Sequence, residues 1–263
     1  MAPYTYIIQK NFSQTGFVIL NRPEVHNALH IDMIREISDS VRRFNDDDSI
    51  RIIRFEAEGT NFSAGADLHW MKKGMEQSRE QLHAESRELA MLFNEIYNSG
   101  KLTISVLKGK VLGGANGIAA ASDIAIATPQ TSFAFTEVKL GLIPATIAPY
   151  IVRRTGNTVA GEWMLSGRKI DADEAFSRGL VNMIWKEEEL GEKLEDLTKL
   201  LLTNSPNATA GIKKLFKLQS FSKDPDELID TTSKLIAGFR VSEEGQEGIR
   251  AFFEKRKPRW IHD

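Results

Sequence analysis

The stretch ISVLKGKVLGGANGIAAASDIAIATPQTSFAF, residues 104–135, decides the fold. It opens on ISVLKG (104–109), an apolar run with β-branched residues that reads as a strand. GGANGIAAAS (113–122) follows, and its small side chains let a helix pack very close to a sheet. DIAIAT (123–128) reads as the next strand and SFAF (132–135) as a short one after it. Strands alternating with a tight helix predict an α/β core.

The same order appears on the N-terminal side. YTYIIQ (4–9) and GFVIL (16–20) read as strands joined by a hairpin turn at Ser13–Gly16. Arg22-Pro23 stops the second strand. Ile34, Ile37, Val41 and Phe44 recur at helical spacing, Asn45 and three aspartates end that helix, and IRIIRFEA (50–57) reads as a strand. Leu82, Leu89, Phe93 and Ile96 mark a second long helix, closed by Gly100. The strand-strand-helix unit therefore recurs. Beyond about residue 195 strands give way to two helical stretches, 196–217 and 226–254, separated by Lys223-Asp224-Pro225. This divides the chain into a core, 1–195, and a helical region, 196–263.

Composition narrows the chemistry. The chain has 263 residues, 41% of them hydrophobic and 27% charged, with a formal net charge of −2, which suits a globular protein and gives no reason to expect nucleic acid or a membrane as partner. Cysteine is absent, which removes disulfides, thiolate nucleophiles and Cys-based metal sites. HExxH, P-loop and GxSxG patterns are missing and the histidines are scattered, so no metal site is expected. No leader-like start and no run of about 20 apolar residues is seen, and a cytoplasmic location is expected.

Three segments can carry chemistry. FSAGAD (62–67) follows the strand 50–57, and LGGANG (112–117) follows the strand 104–109. Glycine and alanine let a ligand approach the backbone. Free N–H groups converging from two such turns would form an oxyanion hole. Each turn alone reads better as an ordinary tight turn; the joint occurrence after two strands is what points to a site. The third segment is FTEVKLGLIP (135–144), which sets Glu137 among apolar residues. Burial would raise its pKa and suit it to proton transfer. Spacing leaves open whether Glu137 is instead an exposed partner of Lys139.

With LNRPEVHNAL (20–29), NFSAGADL (61–68), KGKVLGGANG (108–117), SDIAIAT (122–128), TEVKLGLIP (136–144), LSGRKIDADEAFSRGLVN (165–182) and EGIRAFFEKRKPRW (247–260), the chain resembles the crotonase (enoyl-CoA hydratase/isomerase) superfamily nearly end to end. The resemblance implies a crotonase-like spiral of ββα units with a C-terminal helical trimerisation region, assembled as a homotrimer or a dimer of trimers. It implies an acyl-CoA substrate, with coenzyme A as part of the thioester and no separate cofactor. By position it puts the oxyanion-hole N–H groups on Ala64 and Gly114. It places His26, with Glu24 and Val25, and Ala66, Asp67 and Leu68 along the path of the adenine and pantetheine. It aims Lys255, with Arg256 and Lys257, at CoA phosphates, although the same tail reads equally well as a solvated helix end.

One departure matters. Hydratases of the superfamily hold water between two glutamates. The second corresponds to Glu137, but the first falls on Gly117, which has no side chain. The resemblance thus allows a hydratase with one carboxylate, a 3-enoyl-CoA to 2-enoyl-CoA isomerase with Glu137 as its single base, or a non-catalytic thioester-binding protein. FSAGADLHWMKK, Gly117 and TEVKLGLIPATIAPYIV resemble bacterial methylglutaconyl-CoA hydratases of leucine breakdown. That implies a branched, carboxylated substrate such as 3-methylglutaconyl-CoA, with Gly117 either making room for the branch or removing a like charge beside its carboxylate, and a cation among Lys72, Lys73, Lys139, Arg153 and Arg154. The stretch Trp70–Met75 reads either as an apolar wall or lid over the acyl chain or as ordinary helix packing.

Overall fold

In the computed structural model the described residues are 4–219 and 224–261; residues 1–3 of the start and Lys223 of the helix break lie outside them. The chain divides into two compact units, one up to Leu190 and one from Gly191 on, against the 195/196 division read from the sequence.

The first unit holds two sheets. The larger joins β1 (Ile7–Phe12), β2 (Thr15–Leu20), β3 (Ile52–Ala57), β4 (Leu102–Leu107), β6 (Ile124–Ala127) and β9 (Met183–Ile184) in that spatial order. The smaller joins β5 (Lys110–Leu112), β7 (Ser132–Ala134) and β8 (Ile170–Asp171). β1 and β2 form an antiparallel hairpin, and from β2 onward every pairing in the larger sheet is parallel. Single bridges extend the smaller sheet backwards along the chain: Leu29 lies beside Ala66 and Ser63 beside Val111, both parallel. Each turn of the chain thus adds one strand to the large sheet and one short piece to the small one, which is the spiral of a crotonase fold.

Helices close the turns. α1 (Ile31–Asp46) buries Met33, Ile34, Ile37, Val41 and Phe44, the face its periodicity predicts. α2 (Leu68–Gly74) leads to α3 (Arg79–Asn98), which buries Leu92, Phe93 and Ile96. α4 (Ala115–Ala121) is buried at all seven positions, as its small residues require at this distance from the sheet. α5 (Ala148–Ser166), kinked at Gly156, and α6 (Ala172–Ser177) complete the unit. Among the described residues no helix is long and apolar enough to cross a membrane.

Several elements differ from the sequence reading. The first hairpin turns on Ser13-Gln14 alone, so Thr15 and Gly16 belong to β2. α3 ends on Ser99 in an extended conformation, and Gly100 keeps an ordinary φ instead of the left-handed closure expected of it. The strand expected at 104–109 is Leu102–Leu107; Gly109, at φ 58°, turns the chain, and Lys110–Leu112 forms a further strand in the other sheet. α5, α6, β8 and β9 lie outside the elements that the sequence pattern predicts. In the second unit the two expected helical stretches are four helices: α7 (Leu190–Leu202), α8 (Pro206–Gln219), α9 (Pro225–Val241) and α10 (Glu243–Phe253). Pro206 starts α8 where it can donate nothing to the preceding turn. Ser242 leaves helical geometry and accepts the Gly245 N–H, so it caps α10.

Candidate active site

The site follows from register. Ser63 lies beside Val111, and Val111 beside Phe133. Three residues past Ser63 the chain reaches Ala66, three past Val111 it reaches Gly114, and four past Phe133 it reaches Glu137. Three successive turns of the spiral therefore deliver these residues to the same end of the small sheet. There they line a cavity of about 310 Å³ whose other walls include Leu29, Trp70, Leu89 and Ile147. Two larger hollows, about 700 and 600 Å³, flank α8 and α9 and contain none of the three segments.

The turns are held from behind. Gly113 has φ 51°, a conformation that favours glycine, and a Cβ there would stand 3.3 Å from Glu137 Oε1 and crowd the carboxylate. Gly65, at φ 93°, lies over the Leu112 carbonyl, 3.2 Å from where its Cβ would be. Asn116 is fully buried and gives both amide protons to the carbonyls of Gly113 and Ala134, each at 3.0 Å. It ties the loop that carries Gly114 to the strand that precedes Glu137. At the far end of α4 the guanidinium of Arg154 donates to the carbonyls of Ala120, Ser122 and Asp123. Burial pulls its pKa down to about 10, still far above neutrality, so it remains charged.

The amides correct one expectation. The N–H of Ala64 donates to the His26 carbonyl at 2.9 Å, and Ala64 does not line the cavity. Only one residue past the Ser63 bridge, it is still engaged in holding the sheet. Ala66, which the sequence reading assigned to the CoA path, lines the cavity instead, and its N–H makes no hydrogen bond to the described protein. The same is true of the Gly114 N–H. The available pair is Ala66 and Gly114.

Glu137 lies at the start of a short 3₁₀ turn, Thr136–Leu140, half-buried, with Oε2 sealed from solvent and without a hydrogen-bond partner. Burial raises its pKa, because the charged form loses water and the one backbone hydrogen bond it gains offsets only part of that loss. Of the two readings that spacing left open, the structure favours the buried carboxylate over an exposed partner of Lys139.

Gly117 is not a vacancy. A Cβ on it would stand 2.5 Å from the Phe93 ring and 2.6 Å from Ile147 Cγ2. Its space is filled from within the protein, so the glycine opens no room for a substrate branch. The candidate cations are elsewhere too. None of Lys72, Lys73, Lys139, Arg153 and Arg154 lines the cavity. Arg153 stacks over Tyr97, and Arg154 is spent on α4.

The remaining expected contacts are dispersed. Asp67 is committed: one oxygen caps α2 through the N–H groups of His69 and Trp70, and the other pairs with Arg22 at 2.9 Å. Its carboxylate is therefore structural rather than a ligand for CoA. His26 is exposed in a left-handed conformation, its ring against Asn61. Leu68 is exposed beside the cavity segment. Lys255 is exposed in the second unit, in a left-handed conformation just beyond α10. Arg256 next to it is bound to Glu247 and Glu254. Of the Trp70–Met75 stretch, Trp70 lines the cavity and Met75 faces solvent. Sequence reasoning missed Leu29, Ser86 and Ile147 as lining residues; none carries a local signal, since each reaches the cavity through tertiary packing.

An α/β spiral that brings two uncommitted main-chain amides and one desolvated carboxylate to an apolar cavity defines a class, the crotonase-fold enzymes of acyl-thioester chemistry. Comparison agrees with that class. The family described as enoyl-CoA hydratase/isomerase matches residues 13–263. The chain is similar to the crystal structure of an enoyl-CoA hydratase from Shewanella pealeana, with TM-score 0.95 and 38% identity over 98% of this chain and 96% of that one. It is 29% identical to a crotonyl-CoA hydratase of Syntrophomonas wolfei, over 98% of each chain. It is also 29% identical to human enoyl-CoA hydratase domain-containing protein 3, over 94% of this chain and 80% of that one. The chain belongs to the enoyl-CoA hydratase/isomerase family.

Proposed function

We propose that this enzyme adds water reversibly across the 2,3 double bond of a 2-enoyl-CoA thioester, with Glu137 as its one catalytic carboxylate and the N–H groups of Ala66 and Gly114 as its oxyanion hole. The observation that carries the reading is Glu137 itself: a carboxylate with a raised pKa and an unpartnered, buried oxygen, on the same cavity as two amides that bind nothing else. Glu137 takes a proton from water as the oxygen adds to C3. The electrons move through C2 onto the thioester oxygen, which the two amides hold. The enolate then collapses and C2 takes the proton back from Glu137. Such amides are fixed before the reaction, and loss of one oxyanion-hole donor typically costs about 3–4 kcal/mol.

One observation favours a second reading. Phe93 and Ile147 close the space at Gly117, so no second carboxylate lines the described cavity. A single base suffices to shuttle a proton between two carbons, which is isomerisation of a 3-enoyl-CoA to a 2-enoyl-CoA. The carboxylated branch of 3-methylglutaconyl-CoA finds no cation on this wall; Leu29, Leu89 and Ile147 suit an uncharged acyl chain. The family likeness supports a cytoplasmic homotrimer or dimer of trimers, with the helices from Gly191 on as the assembly region and Lys255 placed toward CoA phosphates.

Crotonyl-CoA, 3-methylglutaconyl-CoA and a 3-enoyl-CoA, assayed in parallel, separate these readings. Loss of the conjugated-enoyl absorbance from crotonyl-CoA is the expected result. Appearance of that absorbance from the 3-enoyl ester, with crotonyl-CoA untouched, would establish isomerisation instead. No turnover of any ester would return the chain to the non-catalytic thioester-binding reading.

A further inference from the structure

We propose that Trp70 decides which acyl chains the cavity accepts, and that Glu85 is the residue that positions it. This rests on the enoyl-thioester reading and specifies its substrate class as short acyl chains.

Trp70 is fixed at both ends. Its backbone N–H donates to Asp67 Oδ1 at 3.2 Å, and Asp67 is itself held by Arg22. Its indole N–H donates to Glu85 Oε2 at 2.6 Å across to α3. The other oxygen of Glu85 accepts from Gln77 Nε2 at 2.8 Å. One carboxylate therefore clasps the indole and the α2–α3 connection together, with each of its oxygens in use. The ring packs against the core and lines the cavity with Leu89 and Ile147. A hinged lid would leave its outer edge free; this indole is tethered at its polar atom. It behaves as a rigid wall, and a rigid aromatic wall sets an upper bound on chain length. Size differences of one methylene in such pockets change kcat/KM by about 10- to 200-fold.

The test is the ratio of kcat/KM for 2-octenoyl-CoA to that for crotonyl-CoA, measured on the full chain. Wild type should favour crotonyl-CoA. Trp70→Ala should move the ratio toward octenoyl-CoA by about tenfold or more. Glu85→Ala should move it the same way, because the unheld indole yields. A merely structural role for Glu85 would lower both values together and leave the ratio unchanged. If Trp70→Ala does not fold, Glu85→Leu carries the test: it keeps the bulk and offers no acceptor to either donor, so the clasp opens and the ratio must shift. A wild-type enzyme active on crotonyl-CoA, with ratios in the folded variants within about twofold of it, overturns the proposal alone. A wild-type chain inactive on both esters overturns the hydration reading and this inference with it.

Discussion

Glu137 bears a cost that its surroundings do not relieve. Its buried oxygen has no donor, so the folded state holds its proton more tightly than the unfolded chain does. Between the ordinary Glu pKa and the raised one, the folded state binds more protons, and stability falls as pH rises through that window. Glu137→Gln removes the charge and should melt higher than wild type at pH 7. The difference should shrink at a pH below the ordinary Glu range, which differential scanning calorimetry at the two pH values would check. The same variant should lose turnover while still binding the ester. Activity of the wild type should fall on acidification at a pH above the usual carboxylate range, since the base must be ionised. Glu137 was legible in the sequence as a carboxylate among apolar residues. The amide was not: Ala64 and Ala66 flank the same glycine, and only the bond of the Ala64 N–H to the His26 carbonyl tells which of them is committed.

α4 is the element on which the site depends. Asn116 ties its first turn to β7, Arg154 holds its last carbonyls, and Phe93 from α3 lies on Gly117. Gly117→Ala should therefore destabilise by about 1–3 kcal/mol through overpacking, read as a lower urea midpoint. Phe93→Leu in the same chain should recover part of that loss, because the two sites touch. Gly117→Glu should be worse than Gly117→Ala, so its effect on substrate preference is best read only after folding has been measured. Long periodic elements such as α1 were legible because burial of one helical face leaves a spacing in the sequence. β5 was not, since three residues after a glycine carry too little period to distinguish them from the end of β4. Gly117 itself was legible as a missing side chain, but not the ring that fills its place, which comes from a helix about twenty residues earlier in the chain.

At the scale of the molecule, the spiral explains how residues 66, 114 and 137 meet. Each turn adds one strand, so residues three or four past the paired positions of the small sheet reach the same end of it on successive turns. The second unit, by contrast, exposes Phe252 and Phe253 at 78% and 77% in the isolated chain. The proposed trimer would give such faces partners; sedimentation should then find species of three or six 29.5 kDa chains, and a monomer at micromolar concentration would contradict it. The central claim concerns the thioester carbonyl, and infrared difference spectroscopy addresses it directly. Crotonyl-CoA labelled with ¹³C at the carbonyl is bound to the Glu137→Gln variant and compared with the free ester in buffer. The carbonyl stretch should move to lower frequency, and Ala66→Pro, which removes one N–H, should reverse much of that shift. A bound ester whose stretch matches the free ester, or a shift unaffected by Ala66→Pro, would contradict the account.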